Sequence, residues 1–336
     1  MIHWEGQQNR LNAKLIEWFI VTNAIIYSCS GNENMKLWKK LVLCLIAAIG
    51  VYALFVFITV RSMDIEQLSE NLFVIRGVGS NTTVLSTGEG TVVIDSMTFP
   101  MQGSIIRAKA EELTGSKVVL LINTHYHLDH THGNPGFEPG TRVVSTERTL
   151  SHLKALDADF WKGDAAQLLP NELFSEQLEI RIGGITLSLS HPGRGHTDGD
   201  LVVLIEDEKT IVMGDLLFYK HYPNIDLEAG GSVSEWPYTL DKVLALNFDR
   251  AIPGHGATTD RLGLQGFQRF MSQLTQIGIT AASDETSLED TLKSSRLTAD
   301  KSYTPIRIAG LSLGLDREFV LRRAWEEATG NFERKN

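Results

Sequence analysis

Apolar residues along this 336-residue chain fall into three kinds of run, and each predicts a different element. Short runs rich in branched side chains read as strands at 72–75, 83–85 and 91–95, with Gly88-Glu89-Gly90 turning between the last two, and again at 118–122. Residues 178–189 divide at Gly183-Gly184 and residues 201–213 at Asp207-Glu208-Lys209, so each predicts a hairpin. Helical spacing is present at 103–113, at 239–246, and at 264–277, where Phe267, Phe270, Met271, Leu274 and Ile277 recur on one side. Farther on, Ser287-Leu288-Glu289-Asp290 reads as a capping box opening a helix, and 317–329 as an amphipathic stretch around Phe319 and Trp325. Strands and helices mixed in this way predict sheets faced by helices.

The third kind of run is long. Residues 41–60 carry no charge and follow Lys36, Lys39 and Lys40. At 1.5 Å per residue such a helix spans about 30 Å, the thickness of a hydrocarbon core. The lysines are expected on the cytoplasmic side, which places everything after Arg61 on the far side, periplasmic if the source is bacterial. An uncleaved anchor is the expectation; a signal segment cleaved to release a secreted protein is the alternative, although such apolar regions are usually about 7–15 residues long. The apolar stretch at 15–27 is interrupted by Glu17 and Asn23, and Met35 begins a more ordinary leader, so residues 1–34 are expected to come from an upstream start.

Composition sharpens this picture at two points. A hydrophobic content of 43% supports a sizeable core, while a net charge of −10 without a long basic stripe argues against a nucleic-acid partner. The two cysteines, Cys29 and Cys44, lie in or beside the apolar N-terminus, which argues against a disulfide framework.

The chemistry is concentrated after the run 118–122, where the chain reads Thr124-His125-Tyr126-His127-Leu128-Asp129-His130. Three imidazoles and a carboxylate this close together suit metal ligation. His125 and His127, two apart, point the same way in extended backbone, while Asp129 and His130 bend round to a second point. A solvated histidine-rich loop is the alternative for this heptapeptide alone. Three later pairs, Gly195-His196, Gly214-Asp215 and Gly254-His255, each follow an expected strand, with a glycine to turn the backbone.

Together these residues resemble the metallo-β-lactamase superfamily, whose pattern is His-x-His-x-Asp-His, a distant His, then Asp or Cys, then His. The resemblance covers roughly residues 70–260. It implies an α/β (α+β) fold, a four-layer αβ/βα sandwich with metals at the edge between the sheets. The organisation expected is an N-terminal extension (1–37), a transmembrane or signal segment (38–61), the metallo-β-lactamase-like domain (62–262) and a C-terminal helical extension (263–336). Carried over by position, His125, His127 and His196 hold a first zinc ion, Asp129, His130 and His255 hold a second, and Asp215 bridges them. An aspartate there departs from the zinc β-lactamases with a cysteine and looks more like glyoxalase II and related hydrolases; the oxygen-rich site also admits iron or manganese.

The resemblance implies a membrane-anchored dinuclear zinc hydrolase. A metal-bridging hydroxide, oriented by Asp129, would act on an ester, thioester, lactone or β-lactam bond of a small molecule. An iron dioxygenase of the persulfide-oxidising type, or a non-catalytic metal-binding domain, is the alternative. Lys220, His221 and Asn224, with Tyr222, lie on the segment that contacts substrate in relatives, and Arg194 lies beside a ligand loop. Residues 97–101 stand where relatives carry an apolar loop over the site; a substrate wall and an ordinary strand-to-helix connection are both open, and for Arg194 and Lys220 a plain surface cation is the alternative to a carboxylate-binding one. Thr124 and Thr197 are expected to support the ligands, Asp200 to fix a loop, and His132 and His191 to be structural.

Overall fold

The computed structural model describes residues 37–308 and 311–332; the expected N-terminal extension, with Cys29 and the stretch 15–27, lies outside the described residues. The helices are α1 (Leu37–Arg61), α2 (Pro100–Thr114), α3 (Leu128–Thr131), α4 (Glu147–Ala155), α5 (Trp236–Leu244), α6 (Arg261–Ser283), α7 (Leu288–Ser294) and α8 (Arg317–Thr329). The chain divides into two units, Met1–Thr59 and Val60–Asn336. Helix α1 carries the charge-free run, and over Cys44–Arg61 it is long and apolar enough to cross a membrane. Its Leu41, Leu45, Ile46, Ile49 and Phe55 are exposed.

The second unit is built on two sheets. The first contains β1 (Asp64–Gln67), β2 (Leu72–Arg76), β3 (Asn81–Thr87), β4 (Gly90–Ile94), β5 (Val118–Ile122), β6 (Arg142–Thr146) and β7 (Glu172–Phe174), side by side in that order. It is antiparallel as far as β4 and parallel from there on. The second contains β8 (Gln177–Ile182), β9 (Ile185–Ser190), β10 (Val202–Ile205), β11 (Thr210–Phe218), β12 (Arg250–His255) and β13 (Thr259–Asp260), also adjacent in sequence order.

Alternation along the strands builds the layers. Leu85, Val92, Leu120 and Ile122 face Leu187, Leu189, Val203 and Ile252 between the sheets. Their sequence neighbours Val84, Val93 and Leu121 point outward onto Ile106 and Ala110 of α2. On the other side, Ile211, Met213 and Leu217 of β11 pack with Trp236 and Leu240 of α5, Phe267 and Phe270 of α6, and Val320 of α8. The result is helix, sheet, sheet, helix. Central strands buried on both faces read as unbroken apolar runs, which is why they were legible without a clear period.

The boundaries differ from expectation where local chemistry outweighs periodicity. Helix α2 starts at Pro100, and the Gln102 side chain accepts from the backbone N–H groups of Thr98 and Phe99 at 3.2 and 3.1 Å. Helix α5 starts at Trp236, with Pro237 in its first turn. Strand β11 does not end at Met213 but continues to Phe218, with register shifts against β12 after Val212 and Gly214. Asp215 therefore sits inside a strand, at an irregularity. Strands β1 and β6 and helix α4 had no expectation; each is too short for a period, although Thr146 caps α4 by accepting from Thr149 N–H.

Candidate metal centre

Strand β5 delivers the histidine loop to the edge between the two sheets, and the ends of the second sheet's strands deliver the rest. His127 has extended backbone and begins α3, so it stays near His125 while Asp129 and His130 enter the helical turn. His125 Nε2 and His196 Nε2 lie 3.1 and 2.6 Å from His127 Nδ1. Asp215 Oδ2 is 3.8 Å from His125 Nε2 and 3.5 Å from His196 Nε2. The other oxygen, Asp215 Oδ1, is 3.1 Å from His130 Nε2 and 3.4 Å from His255 Nε2, which is itself 3.3 Å from Asp129 Oδ2.

These donors form two groups, His125–His127–His196–Asp215 and Asp129–His130–His255, each with its donor atoms within 4.8 Å of one another. Ligands about 2.0–2.1 Å from a tetrahedral ion are separated by roughly 3.3 Å, so the spacing fits divalent metal binding. A second observation agrees. His130 Nε2 and Asp215 Oδ1 are fully buried, yet neither makes a hydrogen bond, and buried polar atoms ordinarily have a partner.

Electrostatics separates the groups. Burial, reinforced by neighbouring imidazoles, pushes His125 well below its usual range and His196 down to about 4, so both are neutral imidazoles, the form that can bind a metal. Burial acts the same way on His255 and His130 but is overcome: the Asp215 and Asp129 carboxylates raise His255 to about 9, and Asp215, Asp95 and Asp129 raise His130 well above its usual value. Burial alone would raise Asp215, but the cationic His255 and His130 hold it well below the carboxylate range. Without an ion the second group holds protons where a metal would sit.

The glycines divide between the expected role and another. Gly214 turns, with φ of 48°, but Gly254 makes room: a Cβ there would meet Asp215 Oδ1 at 2.0 Å. Gly254→Ala is expected to displace Asp215 and to destabilise the chain by about 1–3 kcal/mol. Chemical denaturation and metal content measured on the same preparation check this, and an unchanged metal content would refute it.

Two carboxylates that sequence reasoning missed orient the ligands. Asp95 accepts from Thr124 N and Oγ1 at 2.8 and 2.7 Å and pairs with His130 Nδ1 at 2.7 Å. Asp226 pairs with His127 Nε2 at 3.0 Å and accepts from the Tyr126 hydroxyl. Asp95, a carboxylate ending an apolar strand with φ of 63°, carried a signal; Asp226, far from its partners in sequence, carried none.

The remaining residues are placed as follows. Thr124 bonds Asp95 as above, and Thr197 Oγ1 and N–H donate to Asp200 at 2.6 and 2.8 Å. Burial raises Asp200 to about 8 against those bonds. His132 stacks on Phe160 and pairs with Asp157, and His191 meets the Asp200 carbonyl. Lys220 is exposed, 5.2 Å over the Tyr219 ring, and His221 Nδ1 lies 3.2 Å from the Thr304 carbonyl. Asn224 reaches the centre through its carbonyl, 2.8 Å from His196 Nδ1.

Tyr222 departs from the substrate-contact expectation, while Arg194 and Met97 take the plainer of their two readings. Tyr222 is buried and donates to Asp300 at 2.9 Å. Arg194 is bound to the Gly230 and Gly231 carbonyls and to Glu235, so it fixes a loop. Met97 follows the connection reading: between β4 and α2 it has φ of 63° and is buried in the outer core with Ile75 and Ile106, while Phe99 stays exposed.

A family model described as the metallo-beta-lactamase superfamily matches residues 75–255. The metallo-beta-lactamase type 2 of Bacillus cereus is 25% identical over 210 residues, covering 60% of this chain and 79% of that protein. The protein of the same name from Elizabethkingia meningoseptica is 25% identical over 250 residues, covering 71% and 97%. Among solved structures, a metallo-beta-lactamase from Pontibacter korlensis aligns with a TM-score of 0.54 at 23% identity, over 63% of this chain and 99% of that one. The sec-alkylsulfatase Pisa1 from Pseudomonas sp. aligns with a TM-score of 0.63 at 15% identity, over 80% and 51%. Likenesses this low in identity speak for the fold.

Proposed function

This chain belongs to the metallo-beta-lactamase superfamily and is a metal-dependent hydrolase, and from that premise we propose that it is a membrane-anchored enzyme holding two zinc ions and cleaving an ester, thioester, lactone or β-lactam bond of a small molecule. The observation that carries the two-ion reading is Asp215, whose Oδ2 faces one ligand group while its buried, unbonded Oδ1 faces the other. His125, His127 and His196 would hold the first ion; Asp129, His130 and His255 the second. Imidazole and carboxylate donors without a thiolate suit zinc, and also iron or manganese.

When bound, such ions supply Lewis acidity and water acidified into the neutral range. The protein's own groups do the rest. Asp129 is a quarter exposed, far more than Asp215 at 4%. Burial would raise its carboxyl, but His130 and His255 hold it low, so at neutral pH it is an ionised acceptor able to orient a water O–H; taking up that proton is the further role we propose for it. Lys220, His221 and Asn224 are proposed to meet the substrate at the rim.

The anchor would be residues 41–60, with domain 62–262 and extension 263–336 extracytoplasmic because Lys36, Lys39 and Lys40 precede it. That placement, with the names of the Bacillus and Elizabethkingia relatives, makes a β-lactam the first substrate to try. The zinc-loaded full chain in detergent is tested on a chromogenic cephalosporin. A kcat/KM of at least about 10⁴ M⁻¹s⁻¹ supports lactam hydrolysis; a trace rate rejects it in favour of thioesters and lactones.

A further inference from the structure

The two ligand groups are framed by different parts of the chain. His127 is turned the other way from its fellow ligands: its Nδ1 faces His125 Nε2 and His196 Nε2 at 3.1 and 2.6 Å, and its Nε2 faces Asp226 Oδ2 at 3.0 Å. A neutral imidazole has one N–H, and a carboxylate can only accept it, so the lone pair is left on Nδ1, aimed into the group. Asp226 cannot swing away. Its Oδ2 also accepts from the Tyr126 hydroxyl, and its Oδ1 accepts from Glu228 and Ala229 N–H at 3.1 Å each.

The same segment fixes a second ligand. The Asn224 carbonyl lies 2.8 Å from His196 Nδ1, and Asp226 N–H donates to the His196 carbonyl at 3.0 Å. The segment is pinned in turn from outside. Arg194 binds the Gly230 and Gly231 carbonyls, and Glu327 of α8 accepts from Ser232 Oγ at 2.6 Å, Ser234 Oγ at 2.8 Å and Val233 N–H. His130, in the second group, is held instead by Asp95, directly after β4.

We infer that Asp226 is a positioning residue for the first metal site alone, setting which nitrogen His127 offers, and that the segment around it, pinned by the C-terminal helix, is the frame of that site. This inference rests on the two-ion reading above. Loss of such an outer partner ordinarily weakens metal binding about 10–100-fold.

The test loads the full chain with Co(II), titrates it against a chelator, and assigns each site from paramagnetically shifted imidazole N–H resonances. In Asp226→Asn the first site is expected to weaken about 10–100-fold, with the second unchanged and the His127 resonance shifted or lost. Asp95→Asn should do the reverse. Equal weakening of both sites in Asp226→Asn, or of neither, overturns the inference. Should that variant not fold, Tyr126→Phe, which spares both carboxylate and ligand, reads the same question with a smaller first-site loss expected. A wild-type chain that takes up fewer than two ions overturns the two-ion reading itself, so the two failures are distinguishable.

Discussion

Asp215→Ala is expected to lower kcat/KM of the zinc-loaded chain about a thousandfold, equivalent to about 4 kcal/mol in the barrier. The size follows from position. One carboxylate faces both groups, so in the two-ion reading its loss would remove a donor from each, and it leaves His130 Nε2 and His255 Nε2 without the oxygen 3.1 and 3.4 Å away. The side chain is only 4% exposed, so water cannot take its place freely. Metal analysis should show fewer ions per chain than in the wild type. A variant that keeps its rate within a few-fold, with both ions bound, would remove the bridging role from Asp215.

The second large effect is a divergence between metal-free and metal-loaded stability as pH rises. His255 is raised from 6.5 to about 9 in the folded chain. Its contribution to the metal-free fold is therefore fully present below about 6.5 and is lost as pH climbs through about 9, roughly 3 kcal/mol in all. For a unit of this size that corresponds to a fall in Tm of roughly 6–12 °C. A bound ion needs His255 deprotonated, so loading releases the proton and the loaded chain has nothing to lose in the same window. Thermal melts of the chelated and loaded chain at pH 6.5, 7.5 and 9 check this. Parallel curves would mean that His255 carries no extra proton when the metal is absent.

The centre was legible because its donor types are scarce and ordered: His125, His127, Asp129, His130, His196, Asp215 and His255 stand out in a chain with ten histidines. The sheets were legible because doubly buried strands such as 72–75 read as unbroken apolar runs. What was not legible depended on contact across the fold. Asp226 looks like any loop aspartate until it is seen against His127 and Tyr126. Arg194 looks like a free surface cation until the Gly230 and Gly231 carbonyls are seen around it. The glycine beside His255 was read as a turn, whereas its reason is the carboxylate of Asp215 lying where a side chain would begin.

Each ligand group draws its first members from the loop after β5 and its last from the far sheet. Because synthesis runs from the N-terminus, His125, His127, Asp129 and His130 are in place along the chain well before Asp215 and His255 can meet them. An early ion would find only half a site, with nothing to choose between one pair of imidazoles and another. Faithful metallation would thus be a late event in the life of the protein, waiting on the docking of the two sheets.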